Sequence, residues 1–147
     1  MSYETAEAAL LVVIRKADGF NAGNTSAGDY RILAKGNRKA VVLNPGPFTK
    51  TVTAAPRRMG YNWVVNTELF VPFEKELSVV ALSLRRVRQD LMDIIDQYPN
   101  LASTANIIDS FLEGGSEPDL WQGENRRWWT QRMRVVIKER ATITILE

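Results

Sequence analysis

The residues best spaced for chemistry are Asp90, Asp93 and Asp96, three carboxylates at three-residue steps in RQDLMDIIDQYP. On a helix that spacing gathers acids on one side, and oxygen ligands suit a hard cation. The same side carries Arg85, Arg86, Gln89 and Gln97 and lies opposite an apolar stripe, so the pattern reads as a solvated face rather than a metal site. Histidine and cysteine are both absent. A histidine-based triad, a thiolate metal site and a disulfide framework are therefore excluded. The glycine-bearing stretches AGNTSAGD (Ala22 to Asp29) and EGGSEP (Glu113 to Pro118) have no lysine after the glycines, and neither follows a convincing strand. They read as loops and not as phosphate cradles. The chain is expected not to be an enzyme, and no metal or cofactor is expected.

The remaining candidate chemistry is cationic. In RRWWTQRMRVVIKERATITILE, residues Trp129, Met133, Val135, Ile137, Ala141, Ile143 and Ile145 share one parity, broken only by Gln131 and Glu139. The opposite parity carries Arg132, Arg134 and Lys138, preceded by Arg126 and Arg127 and accompanied by Trp128. A basic face with aromatics could track a nucleic acid by phosphate contact and base stacking. Cations on the exposed side of an amphipathic strand are also routine solvent cover. Trp128 and Trp129 point to opposite sides, so at least one belongs to the core. Arg132, Arg134 and Lys138 are candidates for a subunit interface or for the wall of a channel.

The element that positions these cations is long. A two-residue hairpin loop inside the run would shift the core residues to the other parity, so the preserved phase favours one continuous strand, or a bulge or odd-length turn. At about 3.3 Å per residue such a strand outreaches a domain of this size, and part of it is expected to pair with a neighbouring subunit. A second long strand, GYNWVVNTELFVPF (Gly60 to Phe73), places Trp63, Val65, Leu69, Val71 and Phe73 on one side, interrupted by Thr67. Asn62, Asn66 and Glu68 lie on its other side with Val64 and Phe70, so that side also meets a second surface in part.

The other elements follow from periodicity and punctuation. Ser2 is placed to cap a helix with Ala6, Ala9, Leu10, Val13, Ile14 and Ala17 on one face, ending near Gly19. Phe20 to Asn37 reads as a long loop anchored by Tyr30, Ile32 and Leu33. Ala40 to Phe48 reads as a buried strand stopped by Asn44, Pro45 and Gly46, then a hairpin into TKTVTAA, which runs to Pro56. A long helix carries Leu77, Val80, Ala81, Leu84, Val87, Leu91, Ile94, Ile95 and Tyr98 on one stripe and stops at Pro99. Ser103 to Gly114 fits a short helix capped by Ser103, or a strand. Gly114 to Asn125 reads as a turn-rich loop carrying Leu120 and Trp121. The core is expected to include Trp63, Leu69, Leu84, Leu91, Ile95, Trp129, Val135 and Ile137.

Composition bounds these readings. A chain of 147 residues, 45% hydrophobic and 24% charged, has the balance of one folded domain, here residues 1–147. The net charge of +2 is spread thinly, with no polybasic tail. The N-terminus lacks a basic region ahead of its apolar run, and no stretch approaches the roughly 18 apolar residues of a membrane helix, so an intracellular soluble product with no membrane partner is expected.

In layout the chain resembles the tail terminator, or tail-completion, proteins of long-tailed bacteriophages. The matching pieces are SYETAEAALLVVIRKA, AVVLNPGPF, YNWVVNTELFVPF, LRRVRQDLMDIIDQYPNL, the EPDLW loop and WWTQRMRVVIKE. The resemblance implies an α+β fold, a mainly antiparallel sheet with two helices packed on one face, and it makes Ser103 to Gly114 a strand. It implies a ring of six copies at the neck end of the virion tail. That ring would stop polymerisation of the tail tube protein and receive a head-completion or neck protein, while DNA passes through without specific recognition. The docking candidates are then the two loops, about 20–38 and 114–125, with Tyr30, Lys35, Arg38, Leu120 and Trp121. A head-to-tail connector of similar fold, and a stand-alone basic nucleic-acid-binding module, are the alternatives.

Overall fold

The computed structural model describes residues 3–54, 57–122 and 126–142; at 35, 53, 54, 57, 58, 141 and 142 it describes the backbone alone. Helix α1 spans Tyr3–Ile14, and Ser2 lies outside the described residues. Ala6, Leu10, Val13 and Ile14 are its buried stripe, with Ala9 and Ala17 partly buried beside them. Helix α2 spans Leu77–Gln97 and buries Val80, Leu84, Val87, Leu91, Ile94 and Ile95. Leu77 departs from the expected stripe and is 66% exposed, because it lies at the first turn where α2 has barely reached the sheet.

Among the described residues six strands form one sheet: β1 Thr25–Ala27, β2 Ala40–Ala54, β3 Arg57–Pro72, β4 Ile107–Gly115, β5 Asp119–Gln122 and β6 Arg127–Thr142. The order is β1-β2-β3-β6-β4, and β5 joins β6 on the side that β4 occupies. Only β1 with β2 is parallel; every other pairing is antiparallel. Both helices contribute to one apolar cluster with Val41, Leu43, Val65, Leu69, Val135 and Ile137, all from the same sheet face. The architecture is α+β, a mainly antiparallel sheet with two helices on one face.

β6 is a single strand of 16 residues, paired with β3 from Trp128 to Thr142 without a register break. The unbroken parity of its apolar residues is the direct cause, and Ile143 and Ile145 lie outside the described residues. The two polar residues on the core parity, Gln131 and Glu139, are buried at 8% and 2% exposure. Trp63 and Trp129 are only partly buried against the core, whereas Trp128, on the opposite face, is 1% exposed.

Four expectations are corrected. β2 does not stop at Asn44 to Gly46: it runs on to Ala54, and Ala40 to Phe48 and TKTVTAA are one strand with no hairpin between them. The register shifts between Pro45 and Phe48, a bulge that absorbs both prolines on a stretch that, among the described residues, has a strand neighbour on one side only. A Cβ on Gly46 would come within 2.8 Å of the Val64 carbonyl oxygen, so the bulge takes glycine for its close approach.

The helical reading of Ser103 to Gly114 fails as well. Leu101, Ala102 and Ser103 form a left-handed turn with φ of 51°, 58° and 63°, held by Thr104 Oγ1 donating to the Leu101 carbonyl at 2.6 Å. β4 then pairs with β6, as the resemblance implies. Bulges at Ile107/Asp109 and Leu112/Gly114 add a residue each, so the residues facing the helices are Ile107, Ser110 and Leu112. The three-residue step from Ile107 to Ser110 imitates a helical period.

Neither long loop is merely a loop. Phe20 to Asn37 contains β1 and a 3-10 helix, Tyr30–Lys35, whose cap Asp29 accepts from the Arg31 backbone N–H and whose end is Gly36 at φ 71°. Gly114 to Asn125 contains the end of β4 and all of β5.

Candidate functional site

The face of the sheet away from the helices is divided. At one end it is covered by the chain itself: Ile32 and Leu33 of the 3-10 helix pack with Ala40, Val42, Phe70 and Trp128. The apolar residues on the second side of β3 therefore meet an internal surface at Phe70. Further along this face Val64 and Val136, in register, are also buried, and Arg132, Arg134 and Lys138 stand on it along β6, because Met133, Val135 and Ile137 face the helices. Arg132 and Arg134 are exposed and Lys138 is partly so.

Each cation has a different cross-strand setting. Arg132 pairs in register with Glu68 of β3. Arg134 lies between Asn66 on β3 and Gly114 on β4, with no acid in register on either side. Lys138 lies between Asn62 and Asp109, and its Nζ sits 5.5 Å from the centre of the Phe111 ring. At about 3.3 Å per residue the steps along β6 are about 7 Å from Arg132 to Arg134 and about 13 Å on to Lys138. β6 is flanked by strands on both sides, so these side chains can serve a face and not a strand-edge contact.

The two candidate docking loops converge. The Tyr30 and Trp121 rings stack at 6.0 Å, and each meets Phe70 edge-on, at 6.2 and 5.6 Å. The Tyr30 hydroxyl donates to Glu68 Oε1 at 2.7 Å, while Asn44 Nδ2 donates to that hydroxyl at 2.6 Å and to Glu68 Oε1 at 2.8 Å. Burial, and then the hydrogen bond to Glu68, raise the Tyr30 phenol above its ordinary range. Tyr30 and Trp121 thus brace the fold rather than stand free for a partner. Arg38 is exposed and Leu120 is 50% exposed; the Lys35 side chain lies outside the described residues. Glu68 and Asn44, which complete this cluster, carry no signal in sequence beyond their polar type.

The aromatic half of the nucleic-acid pattern is not available for stacking. Trp128 is buried, the Arg126 guanidinium lies 4.6 Å from the centre of its ring, and Arg126 Nη1 donates to the Asn37 carbonyl at 3.0 Å. Arg127 lies over the Phe73 ring at 4.5 Å. Among the described residues no group of three or more carboxylates is placed to hold a metal ion, and no helix is long and apolar enough to cross a membrane.

A third feature was missed in the sequence because the false break at Pro45 concealed it. Val41 N–H donates to the Asn24 carbonyl and the Leu43 carbonyl accepts from Gly28 N–H, so these residues turn their backbone groups toward β1. β1 ends level with Leu43. Beyond the bulge, Phe48, Lys50 and Val52 stand opposite Trp63, Tyr61 and Met59 and inherit the same outward direction. Phe48 and Val52 are 61% and 47% exposed. The result is a strand edge with outward backbone groups and apolar side chains, the usual signature of an association site.

Compared with known proteins, the chain matches no family model, and no curated protein matches it in sequence.

Proposed function

We propose that this protein is a structural virion component, a ring-forming subunit that caps a phage tail tube, ends its polymerisation and offers a surface to the head or neck. The observation that carries this reading is the outer edge of β2, where Phe48, Lys50 and Val52 extend the sheet past the strand that covers its beginning. A 16-residue strand such as β6 is about 50 Å long, against a radius of gyration of about 15 Å for a globule of this length. A sheet built that way serves its own core with one half and a neighbour with the other.

In this reading the mechanism is geometric. Rotationally equivalent contacts close the ring, and termination follows because the face that meets the last tube ring differs from the opposite face. Arg132, Arg134 and Lys138 then line the passage through which DNA moves, touching phosphate without reading bases. The partners are further copies of the chain, the tail tube protein and a head-completion protein, and the site of action is the neck end of the tail. The buried state of Trp128 argues against a stand-alone module that stacks bases.

The test is electron microscopy of particles assembled with the gene disabled, scoring tail length and head attachment. Unattached tubes of abnormal length support termination. Tubes of normal length beside DNA-filled, tailless heads would transfer the protein to the neck as a connector, and wild-type particles would sink the structural reading.

A further inference from the structure

The ionisable residues are segregated along the chain. From Tyr30 to Thr67 there are seven lysines and arginines and no acid; from Gln89 to Asn125 there are eight acids and no lysine or arginine. The topology carries these blocks to opposite sides of the sheet. The first supplies β2, the outermost long strand on one side, and the second supplies β4 and β5, which line the far side of β6. Arg38 and Lys50 are exposed on the first edge, and Glu113, Glu117 and Asp119 on the second. Two acids flank the basic block: Asp29, which Arg31 binds at 2.9 Å, and Glu68, which accepts from Tyr30 and Asn44. Each edge also exposes apolar residues, Phe48 and Val52 on one, Ile108 and Leu120 on the other.

The registers align these charges. Across the sheet Lys50 is level with Tyr61, Glu139 and Ile107, and the next residue, Thr49, is level with Asn62, Lys138 and Asp109. Near the other end Ala40, which follows Arg38 and Lys39, is level with Phe70, Thr130 and Asp119. A copy placed beside the sheet without axial slip therefore brings Lys50 within one residue of the level of Asp109, Lys50 on the helix side of the sheet and Asp109 on the other, and brings Arg38, just ahead of β2, close to the level of Asp119. Strand direction agrees: β2 and β6 run the same way and β4 runs against β6, so β4 meets a neighbour's β2 antiparallel.

We propose that the basic β2 edge of one copy docks on the acidic β4–β5 edge of the next, head to tail. This rests on the ring reading above and names the two surfaces that make the ring. Pairing either edge with itself across a two-fold axis would set like charges together, which selects the heterologous contact that closes rings. The partner is a second copy of this chain.

A charge swap tests it. Arg38→Glu with Lys50→Glu makes both edges acidic, and Glu113→Lys, Glu117→Lys and Asp119→Lys together make both basic. In velocity sedimentation the wild type should self-associate, and raising salt from about 0.1 to 1 M should weaken association about tenfold, as the screening length falls from about 10 to 3 Å. Each variant alone should stay monomeric, and an equimolar mixture should recover assembly. A wild type that stays monomeric at millimolar concentration overturns the proposal, as does a variant that assembles alone, or a mixture of two folded variants that does not recover. If a charge reversal unfolds the chain, Arg38→Gln with Lys50→Gln and Glu113→Gln with Glu117→Gln replace them: each should weaken association, with no recovery on mixing, and unchanged association overturns the contact. A successful swap together with normal tails in gene-disabled particles would leave the contact standing and remove the capping role. Abnormal tails with a failed swap would do the reverse.

Discussion

Trp63 Nε1 donates to Glu139 Oε2 at 3.1 Å, tying β3 to β6 on the helix side of the sheet. Glu139 is 2% exposed, and Tyr61 and Phe48 pack on the Trp63 ring at 4.9 and 5.5 Å. The carboxylate that interrupts the apolar parity of β6 is therefore a buried acceptor for the indole. Glu139→Ala leaves that donor without its partner and is expected to cost about 1–3 kcal/mol in urea unfolding, while Glu139→Gln keeps an acceptor oxygen and should cost less.

Gly46 sits where the β2 bulge presses on Val64, with 2.8 Å available between a built Cβ and the Val64 carbonyl oxygen. Gly46→Ala must push β2 off β3 at that point, and the overpacking is expected to cost about 1–3 kcal/mol in the same measurement. Gly36, at φ 71° with no atom within 4 Å of a built Cβ, makes a useful contrast: Gly36→Asn should be tolerated far better.

The left-handed turn at Leu101, Ala102 and Ser103 places an exposed alanine at φ 58°. An L residue there costs about 1–2 kcal/mol, against about 0.5–1 kcal/mol for the extra unfolded-state freedom of glycine. Ala102→Gly is thus expected to raise the melting temperature or leave it unchanged, and a clear fall would contradict the turn.

Tyr30 gives a pH signature. Its folded phenol is raised above the unfolded value by burial and by Glu68, so its contribution to stability is complete below about pH 10 and is lost as pH rises from there through the folded value. Wild type should exceed Tyr30→Phe by about 1 kcal/mol at neutral pH, the net worth of a hydrogen bond. The gap should shrink at alkaline pH. A gap independent of pH up to 11, about one unit above the ordinary phenol value, would count against the raised phenol.

Replacing Arg132, Arg134 and Lys138 together by alanine should leave folding within about 0.5 kcal/mol per site, since they stand on the open side of the sheet. If the proposed ring role holds, tail joining and infectivity should fall. If ring formation, tail joining and infectivity are all unchanged, the assignment of these residues to the channel or an interface fails.

Local sequence was a good guide wherever the backbone kept one period. The phase of Trp129, Met133, Val135 and Ile137 favoured one strand, which β6 is, or a bulge or odd-length turn, and the stripe from Val80 to Ile95 specified α2. Phe70 on the polar side of β3 announced a second surface, though its occupant, the 3-10 helix with Trp128, could not be read. These features are legible because side-chain direction follows directly from helix and strand geometry.

What only the tertiary structure decided lies at bulges and edges. Pro45 and Pro47 look like a stop until β3 supplies a partner around which β2 can bulge, and β4 looks helical because two extra residues change the spacing of its inward side chains. Stacking of Tyr30 on Trp121, 91 residues apart in sequence, and the placement of the basic and acidic blocks on opposite edges depend on strand order. A sequence fixes which way each residue points within its own element; which elements become neighbours is settled by hydrogen bonds and contacts between distant segments, and those leave no local period.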